Sequence, residues 1–120
     1  MAKVLIVDDS PTIVAIFQRL FARAGHEVFT ARDGRSGLDA ARQQRPDLIV
    51  LDCILPDLNG VEVCRTLKGD DQTKAAKVMM LTGNTEQGVE EAGKAAGVDL
   101  FLTKYTEPAK LLEAAGRLLG

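Results

Sequence analysis

Apolar residues fall along the chain in five short runs, at 4–7, 28–31, 48–51, 78–81 and 98–102, separated by amphipathic stretches. The runs at 4–7, 48–51 and 78–81 are nearly continuous Val, Ile, Leu and Met rather than alternating with polar residues. That pattern predicts strands covered on both faces, as in a parallel sheet. The intervening stretches carry helical periodicity. Residues 11–24 place Ile13, Val14, Ile16, Phe17, Leu20, Phe21 and Ala24 on one broad stripe. Ser10 suits the N-cap, Pro11 the first helical position and Gly25 the exit. Further helices are predicted over 34–44, 59–68, 85–96 and about 107–119, the last with Leu111, Leu112, Ala115, Leu118 and Leu119 on one face and Pro108 near its start.

Five strands alternating with five helices predict an α/β fold: a single (βα)5 doubly wound parallel sheet with right-handed crossovers, occupying residues 1–120 as one domain. The helix over 85–96 is expected to be the loosest, because Gly88 and Gly93 fall inside it and each costs about 1 kcal/mol relative to Ala.

Composition narrows the partners. The chain has 120 residues, 46% apolar and 27% charged, with a net charge of −2, so direct nucleic-acid binding and membrane binding are not expected. Cys53 and Cys64 form no metal-binding pair, and His26 is a lone histidine, so no zinc site is expected. The two cysteines read as small core residues in a reducing compartment. The apolar run at 4–7 is too short for a signal-peptide core or a membrane span and runs straight into two aspartates, so a cytoplasmic location is expected.

Chemistry collects where an open parallel sheet binds its ligands, at the carboxyl ends of the strands. Strand 1 ends in Asp8 and Asp9, strand 3 in Asp52, strand 4 in Thr82 and Gly83, and strand 5 just before Lys104. Each has a bland reading alone: a helix-capping acid, a loop cap, a buried hydroxyl, a surface lysine. Together they are harder to dismiss. Three carboxylates in one pocket repel, and one would be driven toward its protonated form without compensation. A divalent cation together with Lys104 would balance them, and all-oxygen ligands suit Mg2+. A carboxylate beside that ion can attack a phosphoryl group. The resulting acyl phosphate on Asp52 would accept hydrogen bonds from Thr82 and Lys104, and movement of Thr82 toward it would be the trigger.

With these residues in place, the sequence resembles the response-regulator receiver family of two-component signalling systems along essentially its whole length. The resemblance rests on Val4-Leu5-Ile6-Val7-Asp8-Asp9, on Asp52-Cys53-Ile54-Leu55-Pro56-Asp57-Leu58-Asn59-Gly60, on Met79-Met80-Leu81-Thr82-Gly83, and on Gly97-Val98-Asp99-Leu100-Phe101-Leu102-Thr103-Lys104. The intervals fit too: 43 residues from Asp9 to Asp52, 30 more to Thr82 and 22 more to Lys104. The family resemblance implies a flavodoxin-like sheet of strand order 2-1-3-4-5, with Asp52 as phosphoacceptor. It implies Mg2+ held by Asp9, Asp52 and the backbone carbonyl of Ile54, with Asp8 acting through a water. Thr82 is then the switch hydroxyl, Lys104 the lysine of the site, and Phe101 the aromatic that swings inward on activation. The phosphodonor is a sensor histidine kinase or a histidine phosphotransfer protein. The output face spans the fourth helix, the fifth strand and the fifth helix, and controls a downstream protein target or output domain. The domain is expected to be a phosphoacceptor switch rather than an enzyme, although it assists its own phosphorylation and dephosphorylation.

Three positions depart from the family pattern or flank the site. Tyr105 stands where the family usually has a proline, often in a cis bond; a trans, rearranged loop is expected here and makes the placement of Lys104 the point to check. Ile54 and Asn84, each two residues after a site residue, occupy positions that tune phosphoryl lifetime in the family. Apolar Ile54 cannot orient an attacking water, which predicts slow self-hydrolysis. Tyr105 is the one feature favouring the alternative of a phosphorylation-independent, receiver-like interaction module. An aspartyl-phosphate phosphohydrolase would space its strand-1 aspartates two apart and carry a cap domain. A flavin carrier would need a Ser/Thr/Gly-rich phosphate loop, where Asp8 and Asp9 would instead repel phosphate.

Overall fold

Short parallel strands need a helix to return the chain, and that alternation organises the molecule. In the computed structural model, which describes residues 1–83 and 88–120, the chain runs β1 (Lys3–Val7), α1 (Pro11–Arg23), β2 (Glu27–Ala31), α2 (Gly34–Gln44), β3 (Leu48–Asp52), α3 (Gly60–Gly69), β4 (Lys77–Thr82), α4 (Val89–Ala96), β5 (Leu100–Thr103) and α5 (Pro108–Leu119). The sheet order is β2-β1-β3-β4-β5 and every neighbouring pair is parallel. This is the flavodoxin-like order that the family resemblance implies.

The continuous apolar runs are explained by what lies on either side of them. Successive strand residues point to opposite faces. Val4, Ile6, Leu48, Val50, Met79 and Leu81 therefore pack with Phe17 and Phe21 of α1 and with Leu111 and Ala115 of α5. Leu5, Val7, Ile49, Leu51, Val78 and Met80 pack on the other face with Ala41 of α2, Val63, Cys64 and Leu67 of α3 and Ala96 of α4. Burying a side chain such as Phe21 or Leu111 completely contributes about 1.5–3 kcal/mol each. Among the described residues, no helix is long and apolar enough to cross a membrane.

Local signals set the helix ends. Ser10 caps α1, its side chain accepting from Ile13 N, with Pro11 at the first helical position. Asn59 caps α3 by accepting from Val61 N. Two expectations about α4 need correction. Gly88 lies before the helix, not within it, at φ 86, a left-handed conformation that favours glycine. Gly93 does lie inside, but it is not simply a weak point: a Cβ there would stand 2.3 Å from Phe101 Cζ. The glycine makes the notch into which the Phe101 ring fits. The part of the predicted 85–96 helix before Gly88 lies outside the described residues, as does Asn84.

The fifth strand begins at Leu100, not at Val98. Val98 closes α4 instead: Gly97 takes φ 100, its N–H donates to Lys94 O, and Val98 N donates to Gly93 O at 2.9 Å. This double bond pattern satisfies two terminal carbonyls of the helix and uses up the residues that hydropathy alone assigns to the strand.

Candidate functional site

Strand register builds the site. Val7 pairs with Leu51 across β1 and β3, so the residues that follow, Asp8 and Asp52, emerge side by side at the carboxyl edge. Both are buried, at 2% and 3% exposure, while Asp9 is exposed. One carboxylate oxygen from each of Asp8, Asp9 and Asp52 lies within 4.8 Å of the others. On the far side, Thr82 pairs with Thr103, and Thr82 O accepts from Lys104 N at 2.9 Å. The end of β4 thus fixes the backbone of Lys104 directly.

Lys104 Nζ donates to Asp52 Oδ2 at 2.9 Å. It also lies 3.5 Å from Asp8 Oδ2, an ion pair without hydrogen-bond alignment. Asp8 Oδ1 accepts from Ser10 N at 2.9 Å, which leaves Asp8 Oδ2 as a buried oxygen with no hydrogen-bond donor. Burial raises the Asp52 carboxyl above its ordinary value; the Lys104 hydrogen bond opposes this and the charge of Asp8 adds to it. For Lys104 burial works the other way, but the bond to Asp52 and the charges of Asp52 and Asp8 prevail and raise its pKa.

Tyr105 does not displace Lys104. No cis peptide bond occurs among the described residues, so the Lys104–Tyr105 bond is trans. The loop turns through Thr106 N donating to Thr103 O at 3.1 Å, and the Tyr105 side chain points out, 83% exposed. The trans loop matches expectation, and the ion pair with Asp52 survives it.

The β3–α3 loop carries Ile54, which is 61% exposed and whose N–H points at Asp52 Oδ1 at 3.3 Å. The loop folds back through a bridge between Ile54 and Asn59 and through Gly60 N donating to Cys53 O at 2.8 Å. A Cβ at Gly60 would meet Asp52 O at 2.4 Å, so only glycine fits beneath the loop.

The structure therefore brings Asp8, Asp9, Asp52 and Lys104 into one cluster, with Thr82 at the adjoining strand end and Ile54 in the loop alongside. Phe101 is set back from this cluster. It pairs with Met80 and packs into the core face covered by α2, α3 and α4. Sequence reasoning missed Asp57. Its carboxylate accepts from Gly34 N at 2.7 Å, Leu58 N at 2.8 Å and Arg35 N at 3.0 Å. Some desolvation works against it, but these backbone donors hold the carboxyl below its ordinary value. No signal in the sequence names α2 as the partner of this loop.

The donor set fits a hard divalent cation. Three carboxylates converge, one of them exposed at the mouth, and the orphaned Asp8 Oδ2 is aimed into the cluster without a hydrogen bond to satisfy it. The cluster also sets a buried carboxylate next to an ammonium, an arrangement suited to nucleophilic attack on an anionic phosphoryl group.

Comparison with known proteins agrees with this geometry. The family described as "Response regulator receiver domain" matches residues 4–116. The protein PilH of Pseudomonas aeruginosa is 35% identical over 119 residues, covering 99% of this chain and 98% of that one. The solved structure of the chemotaxis response regulator CheY4 of Vibrio cholerae superposes with a TM-score of 0.92 at 37% identity, covering 98% of each chain. The receiver domain of the sensor histidine kinase PA1611 of P. aeruginosa superposes with a TM-score of 0.90 at 28% identity, covering 99% of this chain and 98% of that one; its structure is described with a magnesium ion coordinated in the active site cleft.

Proposed function

The chain belongs to the response regulator receiver domain family of two-component systems, and from that membership we propose that Asp52 is its phosphoacceptor. Receiver domains are phosphoacceptor switches that bind Mg2+ in an acidic cleft and work with histidine kinases or phosphotransfer proteins on one side and output domains on the other. The finer reading follows for this chain. A carboxylate oxygen of Asp52 attacks the phosphorus of a phosphohistidine on a sensor kinase or phosphotransfer protein. The P–N bond breaks, the imidazole leaves with the electron pair, and a P–O bond to Asp52 forms.

Lys104 stands at the nucleophile, stabilises its ionised form and offers a positive charge to the incoming phosphoryl oxygens. Asp9, Asp52 and the Ile54 carbonyl would hold Mg2+, with Asp8 acting through a water, and the ion would supply neutralisation of phosphoryl charge. Thr82 donates to a phosphoryl oxygen once the acyl phosphate exists, and Phe101 responds beneath α4. The consequence is a change in the α4, β5 and α5 face read by a downstream protein or output domain. Residues 1–120 act as one such domain in the cytoplasm, without direct nucleic-acid or membrane contact, and without turnover of an external substrate beyond their own phosphorylation and dephosphorylation.

The observation that carries this reading is the Lys104 ammonium, 2.9 Å from Asp52 Oδ2 and 3.5 Å from Asp8 Oδ2, set between two buried carboxylates at the sheet edge. The test is incubation with acetyl phosphate and Mg2+ followed by peptide mass spectrometry. Phosphate confined to the peptide bearing Asp52, and absent from Asp52→Asn, is the expected result. A chain that stays unmodified while still engaging partners is instead a phosphorylation-independent module.

A further inference from the structure

The β3–α3 loop is anchored at its base but leaves the sheet at its tip. The base is fixed by the Ile54–Asn59 bridge and by Gly60 N on Cys53 O. The tip, Pro56-Asp57-Leu58, has no strand to pair with. It is held against the first turn of α2, and the donor inventory of that turn is complete. A helix leaves its first N–H groups without internal partners. Here Gly34 N and Arg35 N donate to the two oxygens of Asp57, Ser36 N donates to Asp33 Oδ1 at 2.8 Å, and Gly37 N donates to Asp33 O. The seam is also closed on its apolar side: a Cβ at Gly34 would stand 2.8 Å from Leu58 Cβ and 3.0 Å from Val63 Cγ2.

These contacts complete a circuit around the acidic cluster. Asp8 N donates to Ala31 O at the end of β2. Arg32 and Asp33 lead from Ala31 into α2. Asp57 then joins the amino end of α2 to the loop that runs back through Ile54 to Asp52. Asp57 is the link that ties the loop tip to the backbone of α2 by hydrogen bonds, and its side chain stands outside the carboxylate cluster.

We propose that Asp57 is a positioning residue of the Mg2+ site, fixing the β3–α3 loop, and with it the Ile54 carbonyl, by binding the first two backbone N–H groups of α2. This rests on the reading of the acidic cluster and the Ile54 carbonyl as that site. Asp57 touches neither the metal nor the phosphoryl group; it acts through the loop. Partners that orient metal ligands change metal affinity by about 10–100-fold when removed, and a backbone ligand on an untethered loop belongs at the lower end of that range.

The experiment is calorimetric titration of the intact chain with Mg2+ alone, with thermal unfolding measured in parallel. Asp57→Ala is expected to weaken Mg2+ binding about tenfold, with Asp57→Asn, which keeps one accepting oxygen, in between. Asp33→Ala is the control: it removes the other cap of the same helix without touching the loop. It lowers the melting temperature but leaves Mg2+ affinity unchanged. Unchanged affinity in Asp57→Ala, or equal weakening in Asp33→Ala, overturns the proposal, because Asp57 is then only a helix cap. If Asp57→Ala fails to fold, Asp57→Asn decides on the same criterion. A wild-type chain that binds no Mg2+ overturns the reading of the site itself, and this inference with it.

Discussion

Lys104 Nζ and Asp52 Oδ2 stand 2.9 Å apart although 52 positions separate them in the chain. The pair is the hinge of the electrostatics, because Lys104 faces two buried carboxylates at once. Lys104→Met leaves Asp8 and Asp52 facing each other without a cation. Removing one partner of a fully buried pair costs about 3–5 kcal/mol. The Lys104 side chain is 24% exposed, so we expect a smaller loss of about 2 kcal/mol. Urea denaturation reads this, and millimolar Mg2+ should restore part of it by binding only the folded state. A variant as stable as wild type without Mg2+ contradicts the account.

Asp52 costs the fold stability when ionised. Burial raises its pKa above the ordinary 3.8, so its favourable contribution is complete below the unfolded carboxylate range and lost as pH rises through the folded value. Asp52→Asn should therefore raise the melting temperature at pH 7. The advantage should shrink as the pH approaches 4. Asp57 has the opposite sign: its lowered pKa gives stability above the ordinary carboxylate range that fades on acidification. Thermal scans of the wild type, Asp52→Asn and Asp57→Asn across this interval check both directions.

Gly93 and Phe101 give a test whose sign reverses with background. Alanine is the better helix former by about 1 kcal/mol, yet a Cβ at position 93 would lie 2.3 Å from Phe101 Cζ. Overpacking of this kind costs about 1–3 kcal/mol. Gly93→Ala is thus expected to destabilise the wild type and to stabilise Phe101→Ala. A double-mutant cycle by denaturant unfolding measures it; additivity of the two changes would contradict the notch.

Ile54 leaves 61% of its surface exposed next to Asp52 and offers no group to orient water. Loss of phosphate from the phosphorylated chain should be slow, and Ile54→Asn should speed it about tenfold, a barrier change of about 1.4 kcal/mol. Decay followed by phosphate release decides the point, and a slower mutant contradicts it.

Cys64 is buried, its Sγ donating to Ala96 O, and burial pushes its thiol up to about 11. It should resist thiol reagents at pH 8 in the folded chain and react on unfolding, as thiol titration with and without denaturant will report.

The strands were legible because their neighbours are apolar on both faces: Leu5 and Ile6 need no alternation when α2 covers one and α1 the other. The cluster was legible because strand ends are fixed points of a parallel sheet, so Asp8, Asp52 and Lys104 could be placed without knowing a single distance. What escaped depends on contacts between loops. Val98 reads as strand until the Gly97 turn claims it for the end of α4. Gly93 reads as a weakness until Phe101 is seen against it. Asp57 reads as loop polarity, since nothing local connects it to Gly34 and Arg35, 23 and 22 positions away.

The outward-pointing Tyr105 turns a departure from the family pattern into an instrument. It is the only tyrosine, and the chain has no tryptophan, so ultraviolet emission excited near the tyrosine band arises from one phenol, adjacent in sequence to the ammonium that grips Asp52. Titration with Mg2+ and treatment with a phosphodonor are each expected to change this emission in the unlabelled wild-type chain, and an emission unmoved by both would place Tyr105 outside the reach of the Lys104 edge.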